Sequence, residues 1–181
     1  DTERDDGFIA TAYANDNQIV IAYCGTTIGS TDWFQGNLPA GAGVYLAPQV
    51  KDAVKFYLDI AREFPEKTIT LTGHSLGGGL ASLVGVLFDA KAVVFDQAPF
   101  SKSADSLNVI LPLKDYVYEN YDLSDVPISF QEYTGAGYVD LHGVPGESTR
   151  LERQDNIVSI NVANEVLSLL TETEYQDVGT D

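Results

Sequence analysis

The chain has 181 residues, 44% of them apolar and 20% charged, which describes a globular domain rather than a disordered segment. Acidic residues outnumber basic ones 27 to 10, for a net charge of −17, which argues against nucleic acid and anionic membrane surfaces as electrostatic partners and suits a secreted or salt-exposed protein. No apolar run is long enough for a transmembrane helix, and the single cysteine excludes an internal disulfide and a cysteine-based zinc cluster.

In chain order, the opening "DTERDDGF" is acidic and polar, without the apolar stretch of a signal peptide. The chain contains no methionine, even at position 1, so it is expected to have been processed or cut from something longer, incomplete at one or both ends in the second case. "GFIATAYANDNQIVIAYCGTT" predicts a hairpin, with strands Phe8 to Ala14 and Gln18 to Cys24 about a turn at Asn15-Asp16-Asn17. Cys24 lies in an apolar run and is expected to be a buried, inert thiol. "GTTIGSTDWFQGNLPAGAG" is rich in turn residues and reads as an irregular loop.

"APQVKDAVKFYLDIAREF" places Val50, Ala53, Val54, Tyr57, Ile60, Ala61 and Phe64 at helical spacing, an amphipathic helix closed by Pro65. "KTITLTG" then predicts a buried strand, Leu76 to Phe88 a helix with small residues on one side, and "AKAVVFDQAPF" a further short strand and loop. Beyond Ser101 the pattern weakens. "SADSLNVILPLKDYVYENY" reads as helix broken at Pro112, "VPISFQEY" as β-rich, "YVDLHGVPG" as an alternating strand and "NEVLSLLTETEY" as helix. Strand, helix, strand, helix, strand is the order of an α/β fold on a mostly parallel sheet with flanking helices, here one domain over residues 1–181.

The chemistry concentrates in "TITLTGHSLGGGLASLVG", residues 68–85. Gly-x-Ser-x-Gly between a strand and a helix is a nucleophile elbow. Ser75 sits on a tight turn, while Gly73 and Gly77 lack the side chains that would clash where strand and helix converge. The helix N-terminus faces the site, and the Leu76 N–H is the expected first donor to an oxyanion.

"GHSLGGGLASL" resembles the elbow of the class 3 lipases, within the α/β-hydrolase superfamily. "IVIAYCGTTIGSTDWFQGNL" resembles that family's apolar strand, its Gly-Thr/Ser step and its Asp-Trp followed by Asn. Where the family often has an arginine before that glycine, this chain has Cys24. The likeness spans about residues 7–100 and fades beyond. It implies a serine esterase acting on acylglycerols or phospholipids, with no cofactor. It further implies that the backbone N–H of Thr26 supplies the second oxyanion donor, and that Asp32 and Trp33 brace the loop.

An elbow serine needs an imidazole to take its proton and a carboxylate to orient that imidazole. Of the two histidines, His74 adjoins Ser75 and leaves the elbow in another direction, which leaves His142 as base. Acids between Ser75 and His142 include Asp96, Asp105, Asp115, Asp122, Asp125 and Asp140. Asp125 precedes the β-rich run, and Asp140 would share a strand face with His142. On a rival alignment Glu147, presented by Pro145-Gly146, is the acid, and the base lies beyond Asp181.

With no electrostatic pull toward anionic lipid, the segment "LPAGAGVYLAP", residues 38–48, is the candidate apolar rim for a lipid substrate. Two other functions stay open: a non-catalytic module of the same fold, and acyl transfer or thioester hydrolysis on the same elbow.

Overall fold

A computed structural model describes residues 2–3, 8–24, 47–134 and 150–161. The described strands form one six-stranded sheet in sequential order: β1 (Thr2–Glu3), β2 (Ile9–Ala14), β3 (Gln18–Tyr23), β4 (Thr68–His74), β5 (Lys91–Phe95) and β6 (Ile157–Ile160). The first three are antiparallel neighbours, and β3 through β6 are parallel. The hairpin turn is set by Asn15, whose side-chain oxygen accepts from the N–H groups of Asn17 and Gln18 at 3.1 and 2.8 Å.

Helix α1 (Ala47–Glu63) connects β3 to β4, and α2 (Leu76–Phe88) connects β4 to β5. The long crossover to β6 carries α3 (Ser101–Asp105), α4 (Leu107–Asn120), a 3₁₀ turn at Leu123–Asp125, α5 (Ile128–Glu132), α6 (Arg150–Arg153) and a 3₁₀ turn at Gln154–Asn156. Right-handed crossovers in a sequentially ordered sheet place their helices on one face. That is why α2 is enclosed: it packs on β3, β4 and β5 and against α1, α3, α5 and α6, and all its residues are buried. Such a helix must be apolar all round, and "LGGGLASLVGVLF" is.

The amphipathic stripe of α1 does what its spacing predicts. Val50, Ala53, Val54, Tyr57 and Leu58 are buried, and each large apolar side chain contributes about 1.5–3 kcal/mol on burial. Tyr57, Phe88 and Phe130 stack in sequence, with centroids 4.4 and 4.8 Å apart, and tie α1, α2 and α5 together. Along β3, Ile19, Ile21 and Tyr23 face the helices while Gln18 and Val20 face away. Cys24 continues that alternation and is exposed, not buried. On the same outward face, Phe95 and Ile160 pair in register and remain 42% and 47% exposed.

Two further expectations are corrected. The helix expected to break at Pro112 breaks at Ser106 instead, and Pro112 lies inside α4. The N–H it lacks would have bonded the carbonyl of Asn108, an exposed residue whose carbonyl water can serve. "VPISFQEY" is not a strand: Pro127 leads into α5, whose Phe130 is fully buried against Phe88. Among the described residues no helix is long and apolar enough to cross a membrane, and no group of His, Cys, Asp and Glu could hold a metal ion.

The carbonyls at the C-terminus of α2 are all paired. Its last four carbonyls have no partner within the helix. Gly85 O accepts from the N–H of Ala90 at 2.8 Å, Val86 O and Leu87 O accept from the Arg153 guanidinium at 2.9 and 3.0 Å, and Phe88 O accepts from the Ser129 hydroxyl at 2.8 Å. Asp89 closes the helix in the left-handed region, with φ 55°.

Candidate active site

Strand β4 ends at His74 and α2 begins at Leu76, so the whole reversal falls on Ser75. Its φ of 54° and ψ of −122° are a conformation that side chains rarely adopt, and holding it costs on the order of 1–3 kcal/mol. The surroundings enforce it. The Ser75 N–H donates to Phe95 O at 3.1 Å, and the Ser75 carbonyl accepts from the N–H groups of Ala98 and Gly79 at 2.9 and 3.0 Å. The end of β5 and the segment after it therefore hold the serine's N–H and carbonyl respectively.

The glycines explain why the motif takes this form. A Cβ on Gly73 would stand 2.3 Å from the backbone of Gly77, and one on Gly77 would stand 2.1 Å from Tyr23 O. Neither contact is possible for real atoms, so strand and helix can converge this closely only through glycine. Ser75 occupies the N-cap position, yet its side chain makes no capping hydrogen bond. A serine there ordinarily spends its hydroxyl on the first-turn N–H groups. Here it does not, and the first turn of α2 and the positive end of its dipole begin at the residue after Ser75. Leu76, the expected first oxyanion donor, opens this turn and is buried.

His74 faces the outward side of the sheet, as the alternation along β4 requires, with its side chain 69% exposed and its Nε2 3.9 Å from Asp96 Oδ2. Asp96 follows β5, is buried and has φ 40°. Gln97 is fully buried against Gly78, and its Oε1 accepts from the Ser82 hydroxyl within α2. Neither residue carries a local signal that marks it out. Their place beside Ser75 comes from the pairing of β5 with β4.

Asp125 belongs elsewhere. It lines a hollow with Lys67 and Ile69, at the end of β4 where the strand begins. Ser75 follows the strand's other end, seven residues at about 3.3 Å each away, so Asp125 is not an acid for this serine. Asp105 is engaged by Arg150, whose Nε lies 3.0 Å from Oδ1. Thr26, Asp32, Trp33, Asp140, His142 and Glu147 lie outside the described residues, as does the candidate rim up to residue 46.

A largely parallel sheet that carries a strained serine between strand and helix places the chain in the α/β-hydrolase class. Within that class it belongs to the phospholipase-like family of the Tle-like phospholipase domain, whose pattern matches residues 1–106. It is also similar to fungal proteins named "Putative lipase ATG15". The identity is 43% over 60 residues for that of Vanderwaltozyma polyspora, which is 33% of this chain and 11% of the relative. For Candida glabrata it is 40% over 65 residues, 35% of this chain and 13% of the relative. For Penicillium rubens it is 37% over 60 residues, 33% and 9%. The chain thus covers about a tenth of the length of these curated relatives. No solved structure matches it.

Proposed function

We propose that the chain is a serine ester hydrolase that cleaves acyl esters of lipids through an acyl-enzyme on Ser75. The observation that carries this reading is the left-handed Ser75, clasped by Phe95 and Ala98, with its hydroxyl not used as a cap. In the reaction, Ser75 Oγ attacks the ester carbonyl while an imidazole takes its proton. The carbonyl oxygen becomes an oxyanion, held by the N–H of Leu76 and that of Thr26. Collapse expels the alcohol, which receives the proton from the imidazolium. Water then attacks the acyl-serine with the same imidazole as base, releasing the fatty acid and restoring Ser75. The groups required are all protein groups and water, so no cofactor enters.

The base is His142 or an imidazole from sequence flanking this chain. The lipid substrate class rests on the family and on the names of the relatives. The acidic surface supplies no attraction to anionic bilayers, which favours an apolar contact with the lipid interface. The test is release of fatty acid from short-chain phosphatidylcholine and diacylglycerol by the purified chain. Activity that disappears with Ser75→Ala supports the reading. Activity unaffected by Ser75→Ala contradicts it. His142→Ala decides the base: loss of about 10³-fold or more assigns it to His142, and retained activity assigns it elsewhere.

A further inference from the structure

We propose that Gln97 is a positioning residue for Ser75: its side-chain amide anchors the backbone that holds the strained serine in place. The inference rests on the reading of Ser75 as nucleophile given above. The peptide unit between Gln97 and Ala98 carries the N–H that donates to Ser75 O at 2.9 Å. A peptide unit is planar, so the direction of that N–H is set by where Gln97 stands. Two residues before Gln97, Phe95 O accepts from the Ser75 N–H at 3.1 Å. The stretch from Phe95 to Ala98 thus touches both polar groups of the serine's backbone. It does not keep its shape unaided. Asp96, in the middle of it, has φ 40°, a conformation that a non-glycine residue leaves unless its surroundings hold it.

Gln97 is fixed against α2 at two places. Its backbone is pressed on the first turn, where a Cβ added to Gly78 would stand 3.0 Å from Gln97 Cβ and 3.1 Å from its Cα. Its side chain reaches along the helix by about one turn, and Oε1 accepts from the hydroxyl of Ser82. Ser82 is the one residue of α2 whose side chain can form a hydrogen bond, so the helix offers a single point at which an amide can be tied. Stability does not account for the tie. Gln97 is fully buried, and its Nε2 is the one buried side-chain nitrogen or oxygen without a hydrogen-bond partner among the described residues. An orphaned donor in an apolar interior is destabilising, and an apolar side chain of similar length would avoid it. Ser82 does not need the amide either, since a helix serine can turn its hydroxyl to the carbonyl four residues back. What the pair does supply is a single arrangement of the segment after β5 on α2. An apolar contact, which tolerates repacking, would not enforce one. Gln97 therefore acts on the reaction through the backbone of Ser75.

The experiment compares wild type with Gln97→Met, Ser82→Ala and the double variant. It measures the thermal midpoint, hydrolysis of short-chain phosphatidylcholine, and the rate at which a fluorophosphonate labels Ser75. The double variant replaces both polar partners by apolar groups, so its midpoint is expected at or above that of wild type. Its kcat and its labelling rate are expected to fall by about 10–100-fold, the scale of a misplacement of about 1 Å, with KM within about threefold. A side chain that only packs the core would not lower the rate while leaving the midpoint in place. Each single variant should lose about as much rate as the double, because all three remove the same hydrogen bond. A rate loss of less than about tenfold in a folded double variant would overturn the proposal, as would single losses that multiply in the double. A double variant that fails to fold, or whose loss of rate follows a lowered midpoint, would assign the pair to stability and overturn it too. Failure of the underlying reading looks different: Ser75 of the wild-type chain would then take no label, and Ser75→Ala would retain hydrolysis whatever stands at position 97.

Discussion

Gly77 lies directly beneath the last residue of β3, so that a Cβ added to it would stand 2.1 Å from the carbonyl oxygen of Tyr23. The neighbouring strand, and not only the elbow turn, thus dictates the second glycine of the motif. Tyr23 cannot retreat, because it is buried and its hydroxyl donates to Ala53 O in α1 at 3.0 Å. Gly77→Ala should therefore force α2 away from the sheet and cost at least about 3 kcal/mol, at the upper end for overpacking. A urea melt checks this: the midpoint should fall sharply, and a change within about 0.5 kcal/mol would mean that the strand and helix are not so closely joined.

Ser75 stores strain that its replacement can reveal. Glycine is at ease at φ 54° and alanine is not. Ser75→Gly should raise stability by about 1 kcal/mol over Ser75→Ala while both lose hydrolysis. A difference in thermal midpoint between the two variants, glycine higher, is the readout. Equal midpoints would show that the turn is not strained.

Arg153 is a buried cation whose forked head serves three carbonyls: Val86 and Leu87 at the end of α2, and Ser129 of α5 at 2.7 Å. It also lies over the Tyr133 ring, with Cζ 5.1 Å from the centroid. Arg153→Ala should cost about 3 kcal/mol or more, since it orphans several carbonyls at once. Arg153→Lys should recover only part of that, because a single ammonium cannot reproduce the fork. Chemical denaturation of both variants tests the order wild type, lysine, alanine.

Alkaline pH should destabilise the fold through its buried tyrosines. Burial raises Tyr57 to about 12, and it raises Tyr23 well above its usual value, with Tyr57 itself adding to the effect. A tyrosine raised in the folded state contributes stability that is complete below its unfolded pKa of about 10 and is lost as pH rises through its folded value. Lys114 acts in the opposite sense, because burial first and Arg153 second lower its pKa. The tyrosines outnumber it, so stability should fall between about pH 10 and 12. Tyr57→Phe should flatten that fall. A melting temperature that stays level across this window would contradict the assignment.

The parts of this fold that local pattern controls were legible in the sequence. Alternation in β3 and β4, the stripe of α1 and the all-apolar α2 each announce themselves in a few residues. Cys24 was misjudged because its apolar neighbours hid its phase: one residue past Tyr23, it turns outward. "VPISFQEY" misled because its β-branched and aromatic residues favour a strand, and the burial of Phe130 on Phe88 outweighs that preference. The place of Asp96, buried and level with Ser75, was not legible, since it is created by the register of β5 on β4. The Gly-x-Ser-x-Gly elbow was readable because its glycines are steric necessities.

The most direct test of the account is covalent. A fluorophosphonate reacts with a serine only when that serine is activated as a nucleophile. Incubation of the folded chain with such a probe, followed by intact mass and peptide mapping, should give one adduct per chain, located on Ser75. Ser75→Ala should give none. An unmodified Ser75 in a chain that hydrolyses lipid esters, or an adduct on another serine that persists in Ser75→Ala, would contradict the account.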